Sequence, residues 1–288
     1  MYTPVETAKP DKLPITVVTV CLNSAKEIED TIRSVLEQDY AGFEYLIKDG
    51  GSDDSTVRIA EGYAESFGRK NISYRIISEQ DGGLYDAMNS AAGYAQGEWI
   101  LYLNAGDMLL AGNVLSRLAS CVSDEIDVLY GDAVLFENGR YKLLKAGSAA
   151  QFKYRNPICH QASLTRADII RKYAFDTRYP IAADFDLFLK ILSTGVNKLK
   201  QTDDALCVFR LGGISNSNIL QREKEFDSSR KRNRLKRVRF PEIQILEIVL
   251  TDLVRKAAIR ILGSGFYSQS RGWYKSAAEA VRQGEDNA

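Results

Sequence analysis

Short apolar runs alternate with stretches of helical periodicity from Ile15 to Asp107, with a period of about 30 residues. The first run, ITVVTVCL, is rich in β-branched residues, which is typical of a strand buried on both faces. After Ser24 the apolar residues keep the spacing of one helix face, at Ile28, Ile32, Val35 and Leu36. The pattern therefore predicts repeated strand and helix units.

Three more strands are predicted in this half of the chain. They are FEYLIK, the stretch from Ile72 to Ile77, and EWILYL, and a helix from Leu84 to Ala95 precedes the last of them. Glycines and small polar residues in KDGGSDDST form a turn and a helix cap. These units predict an α/β fold, in which a mostly parallel central sheet is flanked by helices on both faces.

After Asp107 the pattern is less regular. The predicted elements are helices at 114–122 and 181–192, two strands that meet at 137–140, a short strand in HQASLTR and a last strand in ALCVFRL. From residue 217 two helices, 221–239 and 242–262, precede a polar tail. We therefore divide the chain into a main domain, 1–216, and a C-terminal helical extension, 217–288.

The charge is balanced overall but not along the chain. The 288 residues contain 38 basic and 38 acidic side chains, yet the segment from Arg222 to the end carries 15 basic and 9 acidic ones. The extension is therefore basic and the main domain acidic, which predicts different roles for the two parts.

Cysteine and histidine usage excludes several kinds of site. The four cysteines are far apart and form no CxxC pair, so neither a zinc site nor a disulfide framework is indicated, and a reducing cytoplasm fits best. A single histidine excludes chemistry that needs two imidazoles. The N-terminal residues do not resemble a signal peptide, and IQILEIVLTDLV is shorter than the roughly 20 apolar residues of a spanning helix.

Acidic or amide side chains follow each of the four predicted strands of the first half. They are Asn23, Asp49, Glu79 with Asp81, and Asn104 with Asp107. Ligands bind beyond the carboxyl ends of the strands in an open parallel sheet, so these groups are expected at one crevice. Oxygen ligands of this kind favour Mg²⁺ or Mn²⁺, bridged to a phosphate.

Local explanations compete with this interpretation. Asp53 and Asp54 are suited to capping the next helix. Asp49 begins the sequence Asp-Gly-Gly after the strand, which has a strong tendency to form a turn. The stretch from Asn104 to Asp107 could likewise be an ordinary turn and helix cap. Together these strand-end residues favour a binding site more strongly than any one of them does alone. Turns that form independently would not all need acidic or amide residues at the same edge of the sheet.

The segments ITVVTVCLN, YLIKDGGSDDST, SEQDGGLYDAMNSAAGYAQGEWILYLNAGD and IAADFDLFLKI, in this order, resemble a family 2 glycosyltransferase of the GT-A fold. Within it the chain is similar to bacterial enzymes of exopolysaccharide and colanic-acid-type synthesis, over about residues 15–210. The resemblance implies a nucleotide-sugar donor, a divalent metal and inversion at the anomeric carbon. It also implies a nucleotide-binding half, about 15–107, and an acceptor half, about 108–216.

The resemblance assigns roles to the strand ends. Val20, Asn23 and Asp49 would hold the base and ribose of the nucleotide, and Asp81 the uracil or ribose. Asn104 and Asp107 stand where the family has its Asp-x-Asp metal motif. The usual acids are replaced by Asn104 and Gly106, so metal ligation would rest mainly on Asp107, with the diphosphate and water completing it.

Asp184 corresponds to the catalytic base of the family. A carboxylate within hydrogen-bond reach can take the proton of an acceptor hydroxyl as that oxygen attacks the anomeric carbon. The alternative is that Asp184 only caps the helix at 181–192. Asp186, two residues on, projects to a different side of that helix and is expected to be structural.

Further candidates would line the donor and acceptor pocket. His160 lies in a His-Gln stretch that tends to face this pocket in the family, although a lone histidine is often structural. Tyr85, Asp86 and Asn89 lie on the helix after the third strand, and Asp86 and Asn89 share one face. They could line the sugar pocket, or Asp86 and Asn89 could only satisfy loop amides.

Nine basic residues lie between Arg222 and Arg239, ahead of a helix with an apolar stripe. Such a segment, 222–262, suits attachment to an anionic membrane surface, with each basic residue contributing about 1 kcal/mol. The enzyme would then lie in the cytoplasm, peripheral to the inner face of the membrane. The alternatives are packing on the main domain or a homodimer, and nucleic-acid binding is disfavoured because no recognised module accompanies the charges.

The sequence therefore predicts an inverting glycosyltransferase that moves a sugar from a nucleoside diphosphate, UDP favoured, to a saccharide acceptor. The acceptor would be linked to a polyprenyl diphosphate, in surface or exopolysaccharide synthesis. An alternative is a degenerate GT-A domain that binds a saccharide or a partner without turnover, which the altered metal motif supports. Nucleotidyl transfer is disfavoured, because the stretch after the first strand has no glycine- and arginine-rich phosphate loop.

Overall fold

The computed structural model describes residues 15–137, 139–195, 198–210 and 218–235. The strands are β1 (Ile15–Cys21), β2 (Phe43–Asp49), β3 (Ser73–Ser78), β4 (Trp99–Tyr102), β5 (Met108–Leu109), β6 (Val128–Glu137), β7 (Arg140–Leu144), β8 (Ser163–Arg166) and β9 (Leu199–Arg210). The helices are α1 (Ile28–Leu36), α2 (Thr56–Glu61), α3 (Ala64–Arg69), α4 (Leu84–Tyr94), α5 (Val114–Cys121), α6 (Ala167–Tyr173), α7 (Ala183–Leu192) and α8 (Ile219–Arg232).

The strands of the described residues form one sheet in the order β3-β2-β1-β4-β8-β6-β9-β5, and β7 pairs with β6. In the first half all pairings are parallel, as predicted, and Cys21, Asp49 and Ser78 lie side by side at the carboxyl ends of β1, β2 and β3. Strands buried on both faces explain the continuous apolar runs, since every residue of β1 and of β2 is buried.

The second half of the sheet is mixed. Strand β8 runs antiparallel to both β4 and β6, β9 runs parallel to β6, and β5 runs antiparallel to β9. The short 3₁₀ turn at His160–Ala162 leads directly into β8, so the pairing of β8 with β4 brings this turn beside the end of β4. This arrangement carries His160 toward the strand ends of the first half.

Two large apolar clusters cover the two faces of the sheet. One contains apolar side chains of α4, α6 and α7, and the other contains those of α1 and α5. Such clusters supply the main driving force for folding, at about 25 cal/mol for each Å² of apolar surface buried. The helices α4 and α7, which carry predicted site residues, are therefore fixed on a common core.

The boundaries of the later elements differ from the predictions. Helix α7 begins at Ala183 instead of residue 181, and β9 begins at Leu199, six residues before the predicted strand. The extra residues of β9 alternate between exposed and half-buried positions, so they carry no continuous apolar signal. The first predicted helix of the extension is α8, which begins at Ile219 and ends at Arg232.

Helix α8 packs on the main domain. The buried Arg230 donates from Nε to the Phe152 carbonyl (3.0 Å), and its guanidinium lies 5.1 Å from the centre of the Phe185 ring. Arg232 pairs with Asp176 at 2.6 Å. The described part of the basic segment thus contacts the main domain, while residues 236–262 of the predicted membrane-binding segment lie outside the described residues. In the described parts of the chain, no helix has the length and apolarity to cross a membrane.

Candidate active site

The Asp49 carboxylate is the centre of a hydrogen-bonded cluster at the ends of β2 and β3. It accepts hydrogen bonds from the Ser78 hydroxyl (2.6 Å), the Ser52 hydroxyl (2.5 Å) and the backbone amides of Gly51 (3.1 Å) and Ser52 (2.9 Å). Burial disfavours the charged form, but these hydrogen bonds outweigh it and hold the pKa of Asp49 below its usual value. Asp49 is therefore a rigid anion at the strand ends.

Asp81 lies beside this cluster, and a buried lysine holds it there. The Lys48 ammonium donates to the carbonyls of Asp49 (3.0 Å) and Glu79 (2.7 Å) and lies 3.7 Å from Asp81 Oδ2. Any side chain at Gly50 would place its Cβ 2.8 Å from the same oxygen, so the close approach of Asp81 requires glycine there. Sequence analysis did not identify Lys48, because one cation in a buried strand carries no motif.

The end of β1 supplies Val20 and Asn23. Asn23 has a positive φ of 50°, and its side-chain oxygen accepts from the Asp53 amide at 3.0 Å. The buried Val20 contributes its carbonyl, which accepts from the amide of Ala105 at 3.1 Å. This bond fixes the segment after β4 along the end of β1, so the predicted metal motif continues the same sheet edge.

Asn104 and Asp107 contact the turn that precedes β8. Asn104 Nδ2 lies 3.2 Å from His160 Nε2, and Gln161 Nε2 donates to Asp107 Oδ2 at 3.1 Å. Asp107 is 7% exposed, and burial raises its pKa to about 7, although Gln161 and His160 partly oppose this. Gln161 is thus a contact of the predicted metal ligand, and its position next to His160 was the signal available in the sequence.

Asp184 lies in the first turn of α7 and is held by several groups. Its Oδ1 accepts from the Phe185 amide at 2.7 Å, and its Oδ2 accepts from Asn156 Nδ2 at 3.1 Å. His160 Nδ1 is 3.5 Å from Asp184 Oδ2. The side chain is 13% exposed, so its oxygens remain within reach of a small ligand.

His160 therefore links the two functional groups that the sequence places 80 residues apart, Asn104 and Asp184. Burial favours the neutral ring, but the Asp184 carboxylate outweighs it and raises the pKa of His160. The predicted metal motif and the predicted base thus lie on either side of one imidazole. Asp49 and Asp81 lie further along the same sheet edge, at the ends of β2 and β3.

The predicted residues of α4 are engaged in protein contacts. The Tyr85 hydroxyl donates to the Ile181 carbonyl at 3.0 Å and lies 3.4 Å from Asp184 Oδ1, so Tyr85 contacts the predicted base. Asp86 accepts from the Gly82 amide at 2.8 Å. Asn89 binds both the amide and the carbonyl of Phe175, which ties its side chain to the backbone. These contacts of Asp86 and Asn89 match the alternative that both satisfy loop amides.

The buried carboxylate of Asp107 and the half-buried Asn104 are the oxygen donors available to a metal ion at this motif. Asn104 Oδ1 is buried and has no hydrogen-bond partner within the described ranges of the chain, so it is available as a ligand. Among the described residues no group of three or more histidine, cysteine or acidic side chains could hold a metal ion. The residues therefore fit a cation that the protein binds through few ligands and shares with a diphosphate.

A cavity of about 280 Å³ lies beside Asp184 and Asn156. Its lining residues are Arg155, Asn156, Ile181, Asp184, Arg222, Glu223 and Phe226. Three of them come from α8, which the sequence analysis placed in a separate extension. No sequence pattern connects α8 with Asp184, because the contact depends on how distant segments pack.

Comparison with known proteins identifies the family to which the chain belongs. The model of the family described as "Glycosyl transferase family 2" matches residues 16–180, more than half of the chain. A glycosyltransferase of PGL/p-HBAD biosynthesis from Mycobacterium bovis is 30% identical over 209 residues, which are 71% of this chain and 79% of that protein. A Haemophilus influenzae glycosyltransferase of uncharacterised function is 25% identical over 236 residues, 74% of this chain and 70% of that one.

Solved structures show the same fold. The mannosyltransferase PcManGT from Pyrobaculum calidifontis, in complex with GDP-Man and Mn²⁺, matches with a TM-score of 0.60 at 19% identity. The match covers 97% of this chain and 84% of the mannosyltransferase chain. S. aureus TarS 1-349, in complex with UDP, matches with a TM-score of 0.58 at 18% identity. The match covers 75% of this chain and 65% of the TarS chain. The fold is GT-A, and the chain belongs to glycosyl transferase family 2 and is a glycosyltransferase.

Proposed function

We propose that this glycosyltransferase moves one sugar from a nucleoside diphosphate to a hydroxyl of a saccharide acceptor, with inversion at the anomeric carbon. UDP-sugars are the favoured donors, and a lipid-linked saccharide of surface polysaccharide or exopolysaccharide synthesis is the favoured acceptor. The observation that carries the proposal is the series of contacts from Asn104 through His160 to Asp184, which joins the metal motif to a carboxylate.

Asp184 would act as the base. Its Oδ2 would take the proton of the acceptor hydroxyl while that oxygen forms a bond to the anomeric carbon. The bond from the anomeric carbon to the diphosphate breaks, and its electron pair leaves with the nucleoside diphosphate. Asn156 and the Phe185 amide hold the carboxylate in place, which orients it before the acceptor arrives.

Asp49, Asp81, Asn23 and Val20 would contact the base and ribose of the donor. Asp49 supports this role because its oxygens are fixed by four hydrogen bonds at the carboxyl end of β2. The nucleotides in the similar folds are UDP and GDP-Man, which is why a nucleoside diphosphate sugar is the proposed donor class.

Asp107 and Asn104 would hold a Mn²⁺ or Mg²⁺ ion together with the donor diphosphate. A bound divalent cation stabilises the negative charge that builds on a departing diphosphate. Asp107 supplies a buried carboxylate, and this burial raises its pKa to about 7. Asn104 supplies the neutral Oδ1 atom, which lacks a hydrogen-bond partner in the part of the chain that the structure describes.

The second candidate function is binding of a saccharide without turnover. It is favoured by one observation, the replacement of the usual acids of the metal motif by Asn104 and Gly106. The two functions differ in what a donor does on the protein. A transferase also hydrolyses its donor slowly when the acceptor is absent, and a binding module does not.

Thermal-shift titration with UDP, GDP and dTDP, each with and without Mn²⁺, tests the proposal first. We expect one nucleotide to raise the melting temperature in a Mn²⁺-dependent manner. Binding increases the free energy of unfolding by RT ln(1 + [L]/Kd), where [L] is the concentration of free nucleotide. Incubation with a panel of the matching nucleotide sugars should then release nucleoside diphosphate. If no nucleotide raises the melting temperature and no donor is hydrolysed, the binding module is the correct interpretation.

A further inference from the structure

The cavity beside Asp184 is lined by two arginines that come from different parts of the chain. Arg155 follows the 3₁₀ turn at Ala149–Lys153, and Arg222 lies in the first turn of α8. The cavity has a volume of about 280 Å³, which is the volume that about nine water molecules occupy in the liquid. This volume is at the small end of the range for ligand pockets. Such a cavity accommodates one substituted sugar unit, not a long saccharide.

The charge of Arg155 is not compensated by a carboxylate in the described chain. Its Nε and Nη2 atoms both donate to the Gln151 Oε1 atom, at 3.0 and 2.7 Å. Gln151 is neutral, and no ion pair within 4.0 Å involves Arg155 among the described residues. Gln151 therefore orients the guanidinium and leaves its positive charge available to a ligand.

Arg222 has unused hydrogen-bonding capacity at the same cavity. Its Nη2 atom donates to Glu223 Oε1 at 3.3 Å, and its guanidinium lies 5.9 Å from the centre of the Phe226 ring. Its Nε atom is buried and has no hydrogen-bond partner among the described residues. A buried donor without an acceptor is unfavourable, so the Arg222 guanidinium, which lines the cavity, has hydrogen-bonding capacity left for a ligand oxygen.

The two acidic residues of the cavity do not cancel this arrangement. Asp184 is held by Asn156 and by the Phe185 amide, and His160 lies 3.5 Å from it. Glu223 has one contact with Arg222, and its side chain is 34% exposed. A ligand anion in this cavity would therefore meet a lining that contains two guanidinium groups and the proposed base.

We propose that Arg155 and Arg222 form an anion subsite that binds a phosphate or carboxylate group of the acceptor next to its attacking hydroxyl. This inference rests on the proposed function, since it takes Asp184 as the base that the acceptor must reach. Guanidinium groups bind both anions through paired N–H donors. The anion comes either from a charged sugar of the acceptor or from the diphosphate of a lipid carrier.

A set of small probes distinguishes these sources. Methyl glucoside is the neutral probe, methyl glucuronide carries a carboxylate, methyl glucoside 6-phosphate carries a sugar phosphate, and dimethylallyl diphosphate represents the lipid carrier. Binding to the full chain is measured by isothermal titration at constant ionic strength, because salt screens such contacts. Saturating UDP and Mn²⁺ are present throughout, so that the probes do not bind at the nucleotide site.

We expect at least one anionic probe to bind about tenfold more tightly than methyl glucoside, as expected for charge-assisted hydrogen bonds. Arg155→Gln and Arg222→Gln should each weaken the binding of that probe several-fold, and the double variant should lose the preference. Binding of UDP should be unchanged. Arg69→Gln, on the exposed end of α3, is the matched control and should behave as the wild type.

Equal binding of the neutral probe and all three anionic probes would overturn the proposal, and so would a double variant that keeps the preference. Arg155 is exposed, so its substitution leaves folding intact, and the melting temperature checks this for each variant. Donor hydrolysis is measured separately. Absence of hydrolysis with every donor contradicts the proposed function, whereas the titrations still decide whether the anion subsite exists.

Discussion

The Glu225 carboxylate of α8 lies 2.9 Å from the backbone nitrogen of Ala182, the residue at the N-terminal cap of α7. The same oxygen accepts from the amide of Ile181, also at 2.9 Å. The first amides of a helix lack partners within that helix, and a carboxylate near them also interacts favourably with the helix dipole. A residue from α8 thus caps the helix that carries Asp184.

Glu225→Gln is expected to lower kcat several-fold and to leave the affinity for the nucleotide unchanged. The amide side chain loses the charge that holds the two backbone amides, so Asp184 is positioned less well. The free energy of unfolding should fall by about 1–2 kcal/mol. Steady-state kinetics and urea unfolding measure the two effects, with Glu65→Gln as the exposed control. A loss of stability at unchanged kcat would show that Glu225 has only a structural role.

Asp184→Asn is expected to reduce transfer by at least a hundredfold, since the amide cannot accept the proton of the hydroxyl. Its shape and its hydrogen bond from the Phe185 amide are retained, so the melting temperature should change little. Binding of UDP should also persist, which calorimetry can measure. Asp168→Asn is the control, because Asp168 is 63% exposed in the first turn of another helix, α6. Full activity of Asp184→Asn would exclude Asp184 as the base.

Asp107→Asn is expected to raise the Mn²⁺ concentration needed for half-maximal activity by at least tenfold. A divalent cation binds carboxylate oxygens more strongly than amide oxygens, because the carboxylate is charged. Asn104→Asp should have the opposite effect and lower that concentration, since it adds a second carboxylate at the motif. Asp124→Asn, at a fully exposed position, provides the control. Turnover that EDTA does not reduce would contradict a role of the metal.

Asp49 should make the stability of the protein depend on pH in the acid range. Its pKa in the folded state is below the value of 3.8 in the unfolded chain, so it stabilises the fold above about pH 4. This contribution is lost as the pH falls through the folded-state pKa. Asp49→Asn should therefore lower the free energy of unfolding at pH 7 by about 2 kcal/mol and flatten its dependence below about pH 5.

Urea unfolding between pH 3 and pH 8 measures this effect, with the exposed Asp39→Asn as the reference. The same acid slope in the wild type and in Asp49→Asn would be inconsistent with an anionic Asp49 cluster.

The parallel half of the sheet could be predicted from the sequence because each of its strands is local and buried on both faces. The runs that form β1, β2 and β4 are rich in apolar residues and almost wholly buried, and the polar groups at their ends mark the crevice. Family resemblance added Asp184, which periodicity alone presents as a helix cap. The fold is therefore confirmed, and the roles of the site residues stay predictions.

The contacts that hold the base could not be predicted, because they join segments far apart in the chain. Asn156 lies in a loop without a motif, and Lys48 is one cation within an apolar strand. The basic side chains of α8 suggested attachment to an anionic membrane surface, yet Arg230 is buried against Phe152 and Phe185. The sequence shows how many charged residues α8 contains, but only its packing on the main domain determines which of them are buried.

The docking of α8 also sets when the enzyme matures during its synthesis. The segment that matches the family model, 16–180, is synthesised before residues 219–232. Until then the amides of Ile181 and Ala182 lack Glu225, and the buried Asp186 lacks its hydrogen bond from Ser229 (2.6 Å). Asp184 therefore gains these supporting contacts of its helix only after α8 has left the ribosome and packed on the main domain.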